Sequence, residues 1–156
     1  LFFGFICEAM QLNFPTYKFK TKSEQDIHYV FDSVRKKYVV LTPEEWVRQH
    51  VVHYLSEDKG YPTSLIAVER GLSVNGRNKR FDILTFDNQG KPFLLVECKS
   101  PEIGLNKAVF EQIAIYNSAF GVKLLWVTNG LQHVYVRYTD DFSGYEFLEE
   151  LPEYGG

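Results

Sequence analysis

"RFDILTFDNQGKPFLLVECKSP", residues 80–101, decides the fold of this chain. Its first part alternates in polarity, its middle carries the turn residues "NQGKP", and its last part is apolar at Leu94, Leu95 and Val96 in succession. An alternating run, a turn and a doubly apolar run read as two strands, the second covered on both faces. That second strand nonetheless carries Glu97 and Lys99. A bare charge inside a protein is costly unless it is paired, hydrogen-bonded or bound to metal. Side chains two apart in a strand share a face, so Glu97 and Lys99 are expected to point the same way. Asp82 lies on the preceding strand and Glu69 ends the strand before that. Three carboxylates and one lysine would then converge at one edge of a sheet.

Working outward, "SLIAVERGLSV" (residues 64–74) reads as the strand before this pair. Upstream of it, Thr42, Pro43 and Glu45 occupy N-cap, N1 and N3 of a helix, a capping-box pattern. Val47, Val51, Tyr54 and Leu55 form its apolar stripe, and it is expected to run to about Asp58 and stop before Gly60. A second helix is expected over 106–120, ending before Gly121. "VKLLWVTNG" then gives another doubly apolar strand, and Asn129-Gly130 signals a hairpin into "LQHVYVRYT". Residues 12–22, aromatic and basic, read as an extended arm or edge strand, and residues 26–41 as one or two short strands. The tail from Asp140 holds six acids and no base, and is expected to be a last short strand and a solvated end.

The order helix, three strands, helix, two strands predicts an α/β fold, with a central mixed sheet flanked by helices and a parallel pair across the second helix. A chain of 156 residues is one ordinary domain. The expected boundaries are 12–151 for the domain, 1–11 for an N-terminal extension (with Met10 a candidate start) and 152–156 for a tail. No run approaches the roughly 18 apolar residues of a membrane span. Cys7 and Cys98 have no zinc or disulfide spacing, and Cys98 sits in an apolar strand, so a reducing, cytoplasmic setting is the expectation. The net charge of −3 gives no general attraction to nucleic acid. There is no G-x-x-x-x-G-K-[ST] loop for ATP hydrolysis and no helix-turn-helix or zinc finger for base reading.

Carboxylate oxygens are the natural hard ligands of Mg²⁺, and a lysine beside them can orient water or offset charge developing in a transition state. The set suits phosphodiester hydrolysis. Read alone, D…E-x-K is short, and a structural Glu97–Lys99 ion pair with a surface Asp82 is the competing account.

In order and spacing, "TPEEWVRQHVVHYL", "YPTSLIAVERGLSVNGRNKRFDIL", "LLVECKS", "QIAIYNSAF" and "LLWVTNG" resemble the PD-(D/E)xK nuclease superfamily. More narrowly, they resemble the N-terminal nuclease domain of type I restriction enzyme R subunits. The resemblance implies a restriction-endonuclease-like three-layer core and a Mg²⁺- or Mn²⁺-dependent DNA endonuclease. It implies that Asp82 and Glu97 bind metal and that Lys99 is the catalytic lysine. Arg80-Phe81-Asp82 stands where the superfamily name leads one to expect Pro before Asp. The family tends to place a glutamate on the first core helix. At about 100° per residue, Glu44 falls on the stripe with Val47, Val51 and Leu55, whereas Glu45 falls off it and serves the cap. Glu44 is therefore the metal candidate, and Glu69 is an accessory ligand or a partner for Arg70.

Gln112 and Tyr116 lie one helical turn apart. They resemble the Q-x-x-x-Y element of restriction R subunits and helicase-linked nucleases, which lies beside the active site and helps position DNA. Arg77, Lys79, Arg80 and Lys107 are the expected phosphate contacts. A second basic group, Lys18, Lys20, Lys22 and Arg35 to Lys37, reads as ordinary solvated surface. The resemblance also implies a separate motor, methylation or specificity subunit as partner. A non-catalytic nucleic-acid-binding or assembly module that keeps the fold is the alternative from another class.

Overall fold

The computed structural model describes residues 10–155. The expected extension at residues 1–11 falls almost wholly outside them. The described chain begins with an arm that lies along the first helix. Within it, the Asn13 N–H donates to the Gly130 carbonyl, and Phe14 packs on His50, Tyr54, Trp126 and His133.

The sequence predicts one or two short strands over 26–41. The structure has a three-stranded antiparallel sheet of β1 (Thr21–Glu24), β2 (Ile27–Asp32) and β3 (Lys37–Val40). Then comes helix α1 (Pro43–His53). Thr42 Oγ1 accepts from the Glu45 N–H, so the N-cap forms as the sequence dictates. The reciprocal half of the capping box is replaced, because the Glu45 carboxylate turns inward onto Arg35 and Arg48. The helix does not continue unchanged to Asp58. From Tyr54–Asp58 it widens to a π-turn, where Ser56 Oγ donates back to the Val52 and His53 carbonyls. Such back-bonding competes with the main-chain ladder.

A six-stranded sheet follows in chain order: β4 (Ile66–Val74), β5 (Arg77–Phe86), β6 (Pro92–Cys98), β7 (Leu124–Thr128), β8 (His133–Tyr138) and β9 (Tyr145–Leu148). All neighbours are antiparallel except β6 and β7, which run parallel across helix α2 (Lys107–Ser118). The mixed sheet is covered on both faces. On one, Val47 and Val51 of α1 and Leu55 of the π-turn meet Ile83, Val96, Leu124 and Trp126. On the other, Phe110 and Ala114 of α2 meet Leu84, Leu95, Leu125 and Val127. This double burial explains why β6 and β7 are apolar at every position in their middles. It is an α/β fold of the restriction-endonuclease-like kind. Among the described residues, no helix is long and apolar enough to cross a membrane.

Candidate active site

The site forms where β6 ends and the chain leaves for α2. Strand ends on the carboxyl side of a parallel pair, next to a change in strand direction, are where side chains can converge without being covered. Ile83 pairs with Val96 and Leu84 with Leu95, which brings Asp82 beside the last residues of β6. The backbone N–H of Cys98 donates to Asp82 Oδ2 at 2.8 Å. The other Asp82 oxygen accepts from Arg48 on α1 at 2.9 Å.

Glu97 follows Leu95 onto the α2 side and is 8% exposed. Its carboxylate is bonded by the Lys79 ammonium, which also donates to Asn117 on α2. Burial pushes the Glu97 carboxyl above its usual range, against the pull of Lys79, and the Asp82 charge adds to the rise. Lys99 is half-buried, with its backbone N–H on the Thr128 carbonyl. Its ammonium makes no ion pair within 4.0 Å among the described residues, yet its charge is felt by both Glu97 and Glu44.

Glu44 lies on the same side of α1 as Arg48, which it meets at 3.3 Å. Burial, then the Asp82 charge, raises its carboxyl pKa, while Arg48 and Lys99 pull it down. Asp82, Glu97, Lys99 and Glu44 thus share one electrostatic neighbourhood. Glu69 does not join them. Its carboxylate is held by Arg35 at 3.1 Å and lies 3.7 Å from Arg80. Its backbone is the notable part: φ is +54° in the middle of β4. A non-glycine residue rarely adopts that conformation. The ladder skips from Val68–Ile83 to Arg70–Phe81, so Asp82 has no ladder partner opposite it and is free to turn toward Arg48 and Cys98.

Sequence reasoning missed the side chains behind these. Asp32 is fully buried and accepts from Arg35 and Gln49. Arg35 and Arg48 both bond Glu45, at 2.8 and 2.9 Å, and Arg48 continues to Asp82. A buried chain of charges therefore runs from the small sheet through α1 to the site. The sequence reads Glu45 as a capping residue, but in the structure it is the central acid of these ion pairs. The available signal was helical spacing: Glu45, Arg48 and Gln49 stand at i, i+3 and i+4.

The expected phosphate contacts divide. Arg77 and the exposed Gln112 and Tyr116 line one shallow surface groove with Ala108, Glu111 and Ile115. Gln112, expected to need a partner, faces solvent. Arg80 is largely exposed but donates through Nε to the Glu69 carbonyl. Lys107 is exposed beside Glu111. Lys79 turns inward onto Glu97, beneath the Tyr116 ring at 4.9 Å. Among the described residues, no three His, Cys, Asp or Glu side chains converge on one metal position.

A family model described as "Type I restriction enzyme R protein N terminus (HSDR_N)" matches residues 43–152. A solved fragment described as an HsdR subunit of a type I restriction enzyme from Vibrio vulnificus YJ016 is 21% identical, with a TM-score of 0.49. That match covers 72% of this chain and 24% of the other, so the chain spans about a quarter of that protein's length. No curated protein matches the chain.

Proposed function

The chain belongs to the family of type I restriction enzyme R protein N termini, and from that premise we propose that it is a metal-dependent DNA endonuclease domain of the PD-(D/E)xK type. What supports this reading is the position of Asp82 beside the end of β6, with the Asp82 and Lys99 charges acting on both Glu97 and Glu44. Mg²⁺ commonly takes one or two protein carboxylates and fills its remaining positions with water and phosphate. Asp82 and Glu97 supply two, each with lone pairs beyond those given to Arg48, Cys98 and Lys79. Two carboxylates suit Mg²⁺, or Mn²⁺ in its place, and Glu44, whose carboxyl feels the Asp82 charge, is the accessory candidate. When bound, such an ion polarises a phosphoryl oxygen and lowers the pKa of coordinated water.

The chain's own residues do the rest. The Cys98 N–H fixes one Asp82 oxygen against the end of β6. Lys99, which makes no ion pair among the described residues, orients the attacking water or offsets charge on the phosphoryl group. Gln112, Tyr116 and Arg77 offer a groove for the DNA backbone. DNA is then the substrate, in a reducing, cytoplasmic setting. A separate motor, methylation or specificity subunit is the expected partner.

One observation favours a second reading, a non-catalytic assembly module. Arg48 and Lys79 already neutralise the two carboxylates that metal would need. Cleavage of supercoiled plasmid and single-stranded circles in Mg²⁺ or Mn²⁺, with an EDTA control, separates the two. Metal-dependent cutting reduced about 10²–10⁴-fold in Lys99→Ala is expected. Cutting that survives the substitution removes Lys99 from the chemistry. A protein that neither cuts nor binds Mg²⁺ through Asp82 and Glu97 is the module.

A further inference from the structure

The three-stranded sheet has two unlike faces. One buries Val30 and Asp32 completely on the α1 side. The other carries the alternate residues. Tyr29 pairs with Val40 and Phe31 with Tyr38, Lys22 lies opposite Tyr29, and Lys20 bonds opposite Phe31. Residues opposite one another in an antiparallel pair share a face. So Tyr29, Phe31 and Tyr38 stand together on the outer side, with Ile27 (44% exposed) and Val40 (50% exposed) at the margins. The Phe31 and Tyr38 rings lie 5.3 Å apart.

The lysines of β1 and the arm before it reach across these rings. Lys20 Nζ lies 5.3 Å from the Phe31 centroid and 5.9 Å from Tyr38. Lys22 Nζ lies 4.5 Å from Tyr38 and 5.6 Å from Tyr29, and also touches Glu24 at 3.0 Å. Residues 18–38 hold six basic and three acidic side chains, a local +3 in a chain whose total is −3. The positive charge is therefore concentrated on this element and opposed by the rest of the molecule.

We propose that this face of β1–β3 binds single-stranded nucleic acid, with bases stacked on Tyr29, Phe31 and Tyr38 and phosphates taken by Lys20 and Lys22. Aromatic rings on the outward face of a sheet receive unpaired bases, because a duplex keeps its base faces enclosed. The ammonium groups over the rings occupy the positions that bases would take. An incoming phosphate draws each lysine aside and uncovers the ring. The turn after β2 carries Arg35, which bonds both Glu45 and Glu69, so the platform is joined by ion pairs to the site at β6. The proposal does not depend on catalysis there.

The test is fluorescence anisotropy in EDTA with labelled oligo-dT, oligo-U and a duplex, each of roughly 15 nucleotides. Binding in EDTA is read whether or not Asp82 and Glu97 support cutting. A single strand should bind in preference to the duplex, and the dT and U arms show which sugar is accepted. Tyr29→Ala and Tyr38→Ala should each weaken binding about tenfold, while Tyr29→Phe and Tyr38→Phe keep it. Lys20→Gln with Lys22→Gln should reduce the log–log salt slope by about 1.4. Absence of single-strand binding, preference for the duplex, or Ala variants that bind like the unaltered protein would overturn the proposal. The Phe and Gln variants keep surface side chains of similar size, and thermal melts check that each variant is folded.

Discussion

Arg48 touches three acids at once, Glu44, Glu45 and Asp82, with its side chain 7% exposed. Burial disfavours its charge, but Glu45 and Asp82 more than compensate and hold its pKa above the ordinary arginine value. Removing one partner of a buried ion pair costs more than the pair contributes, because the other charge is left unpaired in low dielectric. Arg48→Met should therefore destabilise the fold by about 3 kcal/mol, read as a lowered urea midpoint at unchanged slope. A shift under about 0.5 kcal/mol would mean that Glu45 and Asp82 find water instead. Glu44 and Glu45 illustrate what was readable at this scale. Both are adjacent first-turn glutamates, and the helical angle set Glu44 on the apolar stripe, yet its side chain is 45% exposed while that of Glu45 is 7% exposed. That angle could not reveal Arg35, which arrives from a turn ten residues upstream and draws Glu45 inward.

The turn between β7 and β8 joins elements that are distant in sequence. Gly130 has φ +86°, and a Cβ there would lie 2.9 Å from Leu12 Cδ2 and 3.0 Å from Val47 Cγ2. The Asn-Gly signal announced the turn, and Asn129 Oδ1 accepts from the Leu131 and Gln132 N–H groups to shape it. The close approach of the N-terminal arm and α1 to the same glycine had no local signature. Gly130→Ala combines an unfavourable backbone with overpacking, and should cost at least about 2 kcal/mol in chemical denaturation. Tolerance of the change would show that the arm moves away at little cost. The strand β4 teaches the same point. Its apolar run was legible, but its left-handed break at Glu69, which releases Asp82 from the ladder, was not.

For the whole molecule, acid stability is governed by buried imidazoles as well as by carboxylates. His50 is packed among Phe14, Phe19 and Trp46, and burial pushes its pKa down to about 4. The unfolded chain takes up a proton near ~6.5 that the native ring refuses. This contribution is full above about pH 6.5 and is lost as pH falls toward about 4. His133, also lowered by burial, acts in the same direction. Across that window the unfolding free energy should drop by about 2–3 kcal/mol through His50, and His50→Gln should flatten the profile measured by urea titration at each pH. A slope unchanged by the substitution would place the dependence elsewhere.

Legible from the residues alone were the layered α/β plan, both helices, the N-cap of the first, the doubly covered strands and the position of Asp82 beside the end of β6. Each of these rests on local periodicity, capping chemistry or alternation within one or two adjacent strands. Assembly of the fold alone brings out the buried route from Asp32 through Arg35, Glu45 and Arg48 to Asp82, the pairing of Lys79 with Glu97, and the outer aromatic face of β1–β3. Those depend on which charges meet across elements far apart in the chain and on which face of a short sheet turns outward. Neither is encoded in the spacing of any single segment.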